Sequence, residues 1–294
     1  MLSLHTNYAS LSTQNALGAT QKTLTTSMSR LGTGFRINSA MDDAAGLQIA
    51  TRMNAQSRGM AVAMRNTQNG ISMMQTAEGA FKEMTNIVTR MKDLATEAAN
   101  GSATQEDRDA LQSEFDQLGE ELGNIMTNSS FAGEALFSKD GTAGKLGAAA
   151  VTFQIGATTA ETMDVDVTTA LGDLGTDLDA VVASYTAGVT AGTPGTEIAT
   201  AAAANTAIDD LADVLDSIGA VRAQLGASSN RLESVYNNLG NQRTQTDASK
   251  GRIMDVDYAA ETANMTKNQM LMQASTSMLK QSSSMSQLVM SLMQ

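Results

Sequence analysis

The fold is decided by residues 60–95, MAVAMRNTQNGISMMQTAEGAFKEMTNIVTRMKDLA. Mainly apolar side chains recur there in steps of four and three, which keeps one narrow seam on the same side of an α-helix over many turns. The seam comprises Met60, Met64, Thr67, Ile71, Met74, Ala77, Phe81, Met84, Val88, Met91 and Ala95. No proline interrupts the stretch from Ala44 to Ala99, so we expect one long helix packed against partner helices. Its length favours an elongated coiled-coil bundle over a compact globular one.

Composition agrees with a helical structural protein. The 294 residues include one proline and no tryptophan, and aromatic residues make up only 3% of the chain. A core made of Leu, Ile, Val, Met and Ala suits helix seams better than a large enzyme pocket. The chain has no cysteine, so disulfide bonds and thiolate chemistry are excluded.

Charge and hydropathy limit the partners and the location. The net charge of −12 argues against nucleic acid or an anionic membrane as a partner. The amino terminus has no basic region followed by an apolar one, so we expect no Sec-type signal peptide. No apolar run is long enough to span a bilayer, and we expect no membrane segment.

Both ends of the chain carry helical apolar stripes. The first 31 residues contain an imperfect stripe, and Leu271, Met278, Met285 and Leu292 recur every seven residues near the other end. We expect the two terminal helices to pair with each other and to expose more apolar surface than one partner can cover. That remainder predicts self-association. The candidate self-assembly residues are Leu4, Leu11, Leu24, Leu31, Leu271, Met278, Leu279, Met285 and Leu292.

Between the ends, several signals predict individual elements. The pairs Ser39 with Asp42 and Thr104 with Asp107 have the spacing of capping boxes, which predicts that a helix follows each. Alternation in 151–155 and 163–167 predicts a β-hairpin. Residues 127–147 show no periodicity. Residues 168–204, which are rich in Ala, Gly, Thr and Asp, predict a solvent-facing loop or small excursion, with a short acidic interaction surface as the alternative.

No constellation of residues predicts catalysis or metal binding. His5 is the sole histidine and has no other ligand in sight. Gly32 and Gly34 begin a glycine-rich loop, but Ile37 occupies the place where a phosphate-binding loop needs its third glycine. Asp42 and Asp43 are ordinary partners for the dipole at a helix start. We therefore expect no enzyme, no cofactor and no metal.

Several motifs together resemble bacterial flagellin. They are LGTGFRINSAMDDAAGLQIATRM at 31–53, QTAEGAF at 75–81, and RAQLGASSNRLES and RIMDVDYAAETANM in the last third. The resemblance covers roughly residues 1–170 and 205–294. The stretches LHTNYASL and AMRNTQNGISMMQTAEGA are most similar to lateral flagellins.

The resemblance implies a mainly α fold, a long antiparallel coiled-coil bundle with a small β-hairpin. It implies an inner helical tube domain made of residues 1–43 and 251–294. It also implies an outer helical domain made of residues 44–167 and 205–250, with the hairpin near 151–167. Residues 168–204 then form a short variable surface segment in place of the outer domains inserted in larger flagellins.

The resemblance also implies a function, namely a structural protomer of the extracellular flagellar filament used for motility. Its expected partners are further copies of itself, cap and junction proteins, an export chaperone and the type III export apparatus, which needs no cleaved signal. By resemblance, Arg90, Leu94 and Glu114 contact a host Toll-like receptor. The alternatives are a hook-filament junction protein and an intracellular coiled-coil scaffold.

Overall fold

The computed structural model describes residues 7–182 and 195–292, with side chains up to Ser284. The predicted mainly α fold is confirmed. The described helices are α1 (Tyr8–Thr33), α2 (Ala44–Ala98), α3 (Gln105–Asn128), α4 (Thr168–Val181), α5 (Ala201–Met254) and α6 (Tyr258–Leu292). The described strands are β1 (Ser130–Phe131), β2 (Glu134–Ala135), β3 (Val151–Gln154) and β4 (Thr162–Val165), which form two antiparallel pairs, β1 with β2 and β3 with β4.

The chain divides into two compact units. The first unit is Met1–Ser57 with Thr244–Gln294, and the second unit is Arg58–Arg243. Helices α1 and α6 belong to the first unit, whereas α3, α4 and all four strands belong to the second. Helices α2 and α5 each contribute residues to both. The predicted inner domain, 1–43 with 251–294, lies wholly inside the first unit.

In the second unit, the predicted seam of α2 lines the hydrophobic core. Phe81, Met84, Val88 and Met91 are completely buried, and Met64 and Ile71 are half-buried. The buried face is wider than the predicted narrow seam, because positions beside it are buried as well. These additional positions are Met73, Ile87, Leu94 and Ala98. A helix that packs against several elements at once must bury such a broader face.

Helices α5 and α3 supply further parts of this core. The buried residues of α5 recur in steps of three and four up to Leu225 and then in steps of seven, and they are Ala204, Ala207, Leu211, Val214, Ile218, Val221, Leu225, Leu232 and Leu239. In α3, the predicted capping box is confirmed, since Thr104 and Asp107 bond each other reciprocally. Phe115 and Leu122 of this helix are buried, but Leu111, Leu118 and Ile125 are only half-buried.

The predicted β-hairpin is formed by β3 and β4. Its register pairs Val151 with Val165 and Phe153 with Met163. Met163 and Val165 are buried in the core, so one face of the hairpin packs on the helices, as a small sheet requires for stability. Gly70 of α2 permits this approach, because a Cβ there would lie 2.9 Å from the Phe153 ring.

The prediction for residues 168–204 is wrong over its described parts. Residues 168–181 form α4, and Leu171, Leu174 and Leu178 are fully buried in the core of the second unit. Steps of three and four between these leucines were the available signal, but the surrounding Gly, Thr and Asp obscured it. Pro194 lies outside the described residues. After the gap, Ile198 is again completely buried.

A buried glutamine holds the chain where it returns to the core. Gln112 of α3 accepts a hydrogen bond from the Ile198 backbone N–H at 2.8 Å, and its own amide donates to Glu197 at 2.7 Å. The neighbouring Asp116 accepts from the Gly195 N–H at 2.9 Å. These bonds satisfy a polar side chain that is otherwise enclosed, and they fix residues 195–198 against α3.

Residues 127–147, which show no periodicity, also contribute to the core. Leu136, Phe137 and Leu146 are buried there, and the Phe137 ring lies 4.8 Å from that of Phe81. The chain folds back through the tight turn between β1 and β2, and the Leu146 N–H donates to the Leu136 carbonyl at 3.0 Å. Aromatic pairs of this kind stabilise a core beyond their buried area.

The burial of α4 predicts the effect of shortening one of its leucines. Leu174→Ala removes a fully buried side chain and leaves a cavity, so it lowers the free energy of unfolding by about 2–5 kcal/mol. Urea unfolding followed by circular dichroism measures the change. The control is Asp173→Ala, an exposed position of the same helix. Equal effects of the two substitutions would show that α4 does not pack in the core.

Candidate assembly surface

Helices α1 and α6 of the first unit form an antiparallel pair. At one end, the Asn7 side-chain amide, which precedes α1, donates to the Ser282 carbonyl at 3.0 Å. At the other end, Arg30 lies 3.8 Å from Glu261, which is 8% exposed. The start of α1 therefore meets the end of α6, and the predicted pairing of the chain's extremities is confirmed.

The contact between the two helices is a heptad seam with many small polar residues. In α1 the buried and half-buried positions follow the series Ser10, Thr13, Leu17, Thr20, Leu24, Ser27 and Leu31, joined by Thr26 and Arg30. In α6 they follow Glu261, Met265, Asn268, Met272, Ser275, Leu279 and Ser282, joined by Ser284. Alternating steps of three and four characterise coiled coils. Since every second seam position is polar, the pair buries little apolar surface.

The threonine hydroxyl groups on the α1 side of this seam bond within the helix itself. Thr13 donates to the Ala9 carbonyl at 2.7 Å, and Thr20 donates to the Ala16 carbonyl at 2.9 Å. Threonine can therefore lie in the seam without an unpaired donor. Both helices are also capped, since Asn7 accepts from the Ser10 N–H, and the carboxylate of Asp257 accepts from two N–H groups of the first turn of α6.

The motifs that begin at Leu31 and Arg252 meet at one corner of the first unit. Helix α1 ends at Gly34, whose φ of 75° is the left-handed conformation that favours glycine. An isolated antiparallel β-bridge follows, in which the Arg36 N–H donates to the Met254 carbonyl and the Val256 N–H donates to the Gly34 carbonyl. The Arg36 guanidinium also donates to the Ile253 carbonyl at 3.0 Å. These bonds tie the α1–α2 connection to the α5–α6 connection.

The capping prediction for α2 needs a correction. Asp42 accepts from the backbone N–H groups of Asn38 and Ser39, which lowers the pKa of its carboxyl group. This carboxylate closes a turn before the helix. The side chain that caps α2 is Asp43, which accepts from the Gly46 N–H at 2.8 Å. The helix begins at Ala44, so Ser39 lies too far upstream to occupy the cap position.

Large apolar side chains point outward from the first unit. In α6, Leu271 is 45% exposed and Met278 is 65% exposed, and Met270 and Tyr258 are exposed as well. Tyr8, Leu11 and Met28 of α1 are also exposed, as are Phe35, Met41 and Ile49. Among the described residues, Val62 is the one exposed large hydrophobic side chain of the second unit. The exposed apolar surface is thus concentrated in the unit that has the smaller core.

The candidate self-assembly residues fall into three groups. Leu24, Leu31 and Leu279 belong to the seam between α1 and α6. Leu11, Leu271 and Met278 are exposed outside it. Leu4 and the side chains of Met285 and Leu292 lie outside the part of the chain that the structure describes, as does His5.

Sequence reasoning missed some of the outward residues and did not determine which stripe of α6 faces the partner helix. Met265 and Met272 lie in the seam together with Leu279, whereas Leu271 and Met278 lie one position earlier and face away. One residue of a helix corresponds to a rotation of about 100°. Met270 and Met41, which are exposed, had no periodic signal that could have identified them.

The three residues that the resemblance connects with a receptor differ in their exposure to solvent. Arg90 of α2 and Glu114 of α3 are exposed and form an ion pair, with Nη2 donating to Oε1 at 2.7 Å. Leu94, in contrast, is 1% exposed and belongs to the core. Only the charged pair is therefore available at the surface.

The described residues contain neither a candidate membrane-spanning helix nor a candidate metal site. No described helix combines the length and hydropathy needed to cross a bilayer. Within residues 7–182 and 195–292, no group of three or more His, Cys, Asp or Glu side chains is arranged to hold a metal ion.

Comparison with protein families gives two matches along the chain. The model described as the bacterial flagellin N-terminal helical region matches residues 4–142, and the model described as the bacterial flagellin C-terminal helical region matches residues 206–293. The unmatched residues between them include β3, β4 and α4.

Individual relatives are similar over their full lengths. The chain is 33% identical to flagellin A of Vibrio anguillarum over 385 aligned positions, which cover 100% of both chains. It is 34% identical to flagellin C of Vibrio cholerae, over 95% of this chain and 96% of that one. It is 32% identical to polar flagellin C of Vibrio parahaemolyticus, over 100% of both. Because an alignment of 385 positions exceeds the 294 residues of the chain, the first relative contains segments that this chain lacks.

A solved structure of a putative flagellar hook-associated protein from Vibrio parahaemolyticus has a similar fold. Its TM-score is 0.55 at 16% sequence identity, and the match covers 73% of this chain and 100% of that one. At this identity the similarity concerns the fold alone.

The antiparallel register of α1 and α6 predicts which positions can be crosslinked. The chain has no cysteine, so the double substitution Asn7→Cys with Ser282→Cys introduces a single possible disulfide within one molecule. Because these side chains touch in the structure, mild oxidation closes the bond. Faster migration in a non-reducing gel at low protein concentration detects it.

The control pairs Asn7→Cys with Thr266→Cys, which lies about 24 Å further along α6 at the rise of an α-helix. This variant stays uncrosslinked as a monomer. Efficient crosslinking of the control, or none of the first pair, would contradict the register.

Proposed function

The chain belongs to the bacterial flagellin family, and from that premise we propose that its first unit is the part through which copies of the chain join each other. Flagellins are the structural subunits of the flagellar filament, and the filament is extracellular. The chain is accordingly a protomer of a filament that serves motility. The proposal concerns how this particular chain makes its contacts.

One observation carries the proposal, namely the unequal distribution of apolar side chains between the two units. The second unit buries nearly all of its large apolar residues around α2, α3, α4 and α5. The first unit leaves Leu11, Leu271 and Met278 exposed. A protein that remains a monomer rarely exposes so many large apolar side chains in one region, whereas a protein that self-associates needs them there.

The assembly mechanism follows from the geometry of the α1–α6 pair. One stripe of each helix is occupied by the other helix, and the outward stripe is left for a neighbouring copy. Burial of an apolar side chain contributes about 25 cal/mol per Å² of area removed from water. Each half-exposed leucine or methionine therefore contributes roughly 1–2 kcal/mol. In a filament, this small term is repeated at every contact that a subunit makes with its neighbours.

The remaining candidate residues fit the same proposal in two roles. Leu24, Leu31 and Leu279 stabilise the α1–α6 pair that presents the outward stripe. Leu4, Met285 and Leu292 extend the stripes by their sequence spacing. In this proposal, residues 1–43 with 251–294 correspond to an inner tube domain and residues 44–167 with 205–250 to an outer domain.

We also propose the export route that the family resemblance implies. The chain leaves the cell through the flagellar type III apparatus without a cleaved signal, after a chaperone has covered its C-terminal helix. The support is the outward apolar stripe of α6, which includes Met270 and Leu271 and needs covering before assembly. Cap and junction proteins at the filament ends then bind the stripes that no further protomer occupies.

Two finer assignments rest on sequence resemblance. Contact with a host Toll-like receptor would use Arg90 and Glu114, which are exposed, while Leu94 supports them from the core. The lateral subgroup is supported by the stretches LHTNYASL and AMRNTQNGISMMQTAEGA, although the relatives compared here include a polar flagellin. The family is a structural one, and we propose no catalytic role for the chain. No observation favours a junction protein or an intracellular scaffold.

A matched pair of charge substitutions tests the role of the first unit. Leu271 is 45% exposed and Val62, in the second unit, is 46% exposed, and both lie within long helices. Leu271→Asp places a charge on the surface that a neighbour must bury, so it raises the critical concentration for polymerisation by at least about tenfold. Val62→Asp leaves the critical concentration within about twofold of that of the unsubstituted chain.

Polymerisation of heat-dissociated protein is followed by light scattering and electron microscopy. Circular dichroism confirms that both variants keep their helical content as monomers, because both side chains are exposed. Normal filaments from Leu271→Asp, or an equal loss with Val62→Asp, would refute a special role for the first unit.

A further inference from the structure

Among the described side chains, the methionines of the two units differ in exposure. Those of the second unit are buried or half-buried, and the most enclosed are Met60, Met74, Met84, Met91 and Met126. All exposed methionines among the described side chains belong to the first unit, and they are Met28, Met41, Met270 and Met278. The chain has no cysteine to compete for oxidants. Thioether oxidation therefore has a defined set of accessible targets.

Two of these targets lie on the outward stripe of α6. Met270 is 60% exposed and Met278 is 65% exposed, and Leu271 lies beside Met270 on the same surface. The seam methionines Met265 and Met272 are half-buried against α1. Among the described methionines of α6, the two most exposed are thus the ones that a neighbour covers in the proposed assembly.

We propose that Met270 and Met278 form an oxidation site for peroxides, through which oxidation of the free protomer blocks its entry into the filament. This inference rests on the proposed function of the first unit, and it adds the chemical modification that this surface accepts. It also predicts the order of events, because the site is open before assembly and closed after it.

The reaction is a two-electron oxygen transfer. A lone pair of the methionine sulfur attacks one oxygen of hydrogen peroxide and forms the S–O bond while the O–O bond breaks. The sulfur is oxidised, and the second peroxide oxygen is reduced and leaves as water after taking up a proton. The sulfoxide is polar, unlike the thioether, and methionine sulfoxide reductases reverse the change.

The consequence for assembly follows from the cost of burying a polar group. In the free protomer, a sulfoxide at Met270 or Met278 is hydrated, and the fold is unaffected because neither side chain supports the core. In a filament contact the same group loses its water without gaining a hydrogen-bond partner. Oxidation therefore raises the critical concentration for polymerisation by at least about tenfold while leaving the monomer helical.

The first experiment uses the unsubstituted chain and dilute hydrogen peroxide. Peptide mass spectrometry of treated monomers measures sulfoxide at each methionine, and we expect Met270 and Met278 to react at least about tenfold faster than Met84 and Met91, in line with their exposure. In preformed filaments the reaction at Met270 and Met278 slows to the rate of the buried methionines. Equal rates in monomer and filament, or no preference over the core, would overturn the proposal.

The second experiment assigns the effect to α6. The variant M270L/M278L keeps side-chain volume and removes both sulfurs, so its assembly becomes resistant to peroxide. The control M41L removes the exposed sulfur of the connection between α1 and α2, outside both outward helix stripes, and stays as sensitive as the unsubstituted chain. A peroxide-sensitive M270L/M278L variant would refute the assignment.

Reversal provides a measurement that does not depend on any variant. Methionine sulfoxide reductases exist for each of the two sulfoxide epimers. Treatment of oxidised monomers with both enzymes restores polymerisation if the sulfoxides cause the block. Persistent loss of assembly after complete repair counts against the proposal. Failure of the untreated chain to polymerise at all is a separate result, and it contradicts the proposed function itself.

Discussion

A helix with two apolar stripes can bury only one of them against a single partner helix. Helices α1 and α6 are in this situation, since their seam occupies one stripe and leaves Leu11, Leu271 and Met278 exposed. The seam itself is rich in serine and threonine, so the pair gains modest stability from its own contact. The first unit consequently leaves apolar surface uncovered, and in the proposed function a neighbouring copy supplies the missing burial.

The second unit shows the opposite solution within the same chain. Its helices share one hydrophobic core. Helix α4 and the segment that contains Phe137 contribute to this core as well, although their composition does not indicate burial. The polar side chain of Gln112 is enclosed there but fully bonded, which lets the chain return to the core near Ile198. This division suits a filament subunit, because one part encloses its own hydrophobic core while the other leaves apolar side chains exposed.

The two units also differ in how far their described methionines are exposed to oxidation. Methionine packs adaptably in an interface whose geometry varies between contacts, and it is also the side chain that peroxide oxidises in a chain without cysteine. Burial protects the core methionines, such as Met84 and Met91, from that chemistry. The exposed ones combine adaptable packing with sensitivity to oxidation, and both properties come from the same sulfur atom.

The sequence by itself determined the period of the long helices, the capping box at Thr104, the β3–β4 hairpin and the pairing of the two ends. These features follow from local spacing and from the sum of apolar residues, which a linear pattern records. Only the tertiary structure decided that Met272 and Leu279 face α1 while Leu271 and Met278 face away. Adjacent residues differ by about 100° around a helix, so which stripe is buried depends on the partner's position. The burial of Leu174 and Phe137 likewise depended on elements distant in sequence, because Gly, Thr and Asp obscure the leucine spacing of α4 and residues 127–147 have no periodicity.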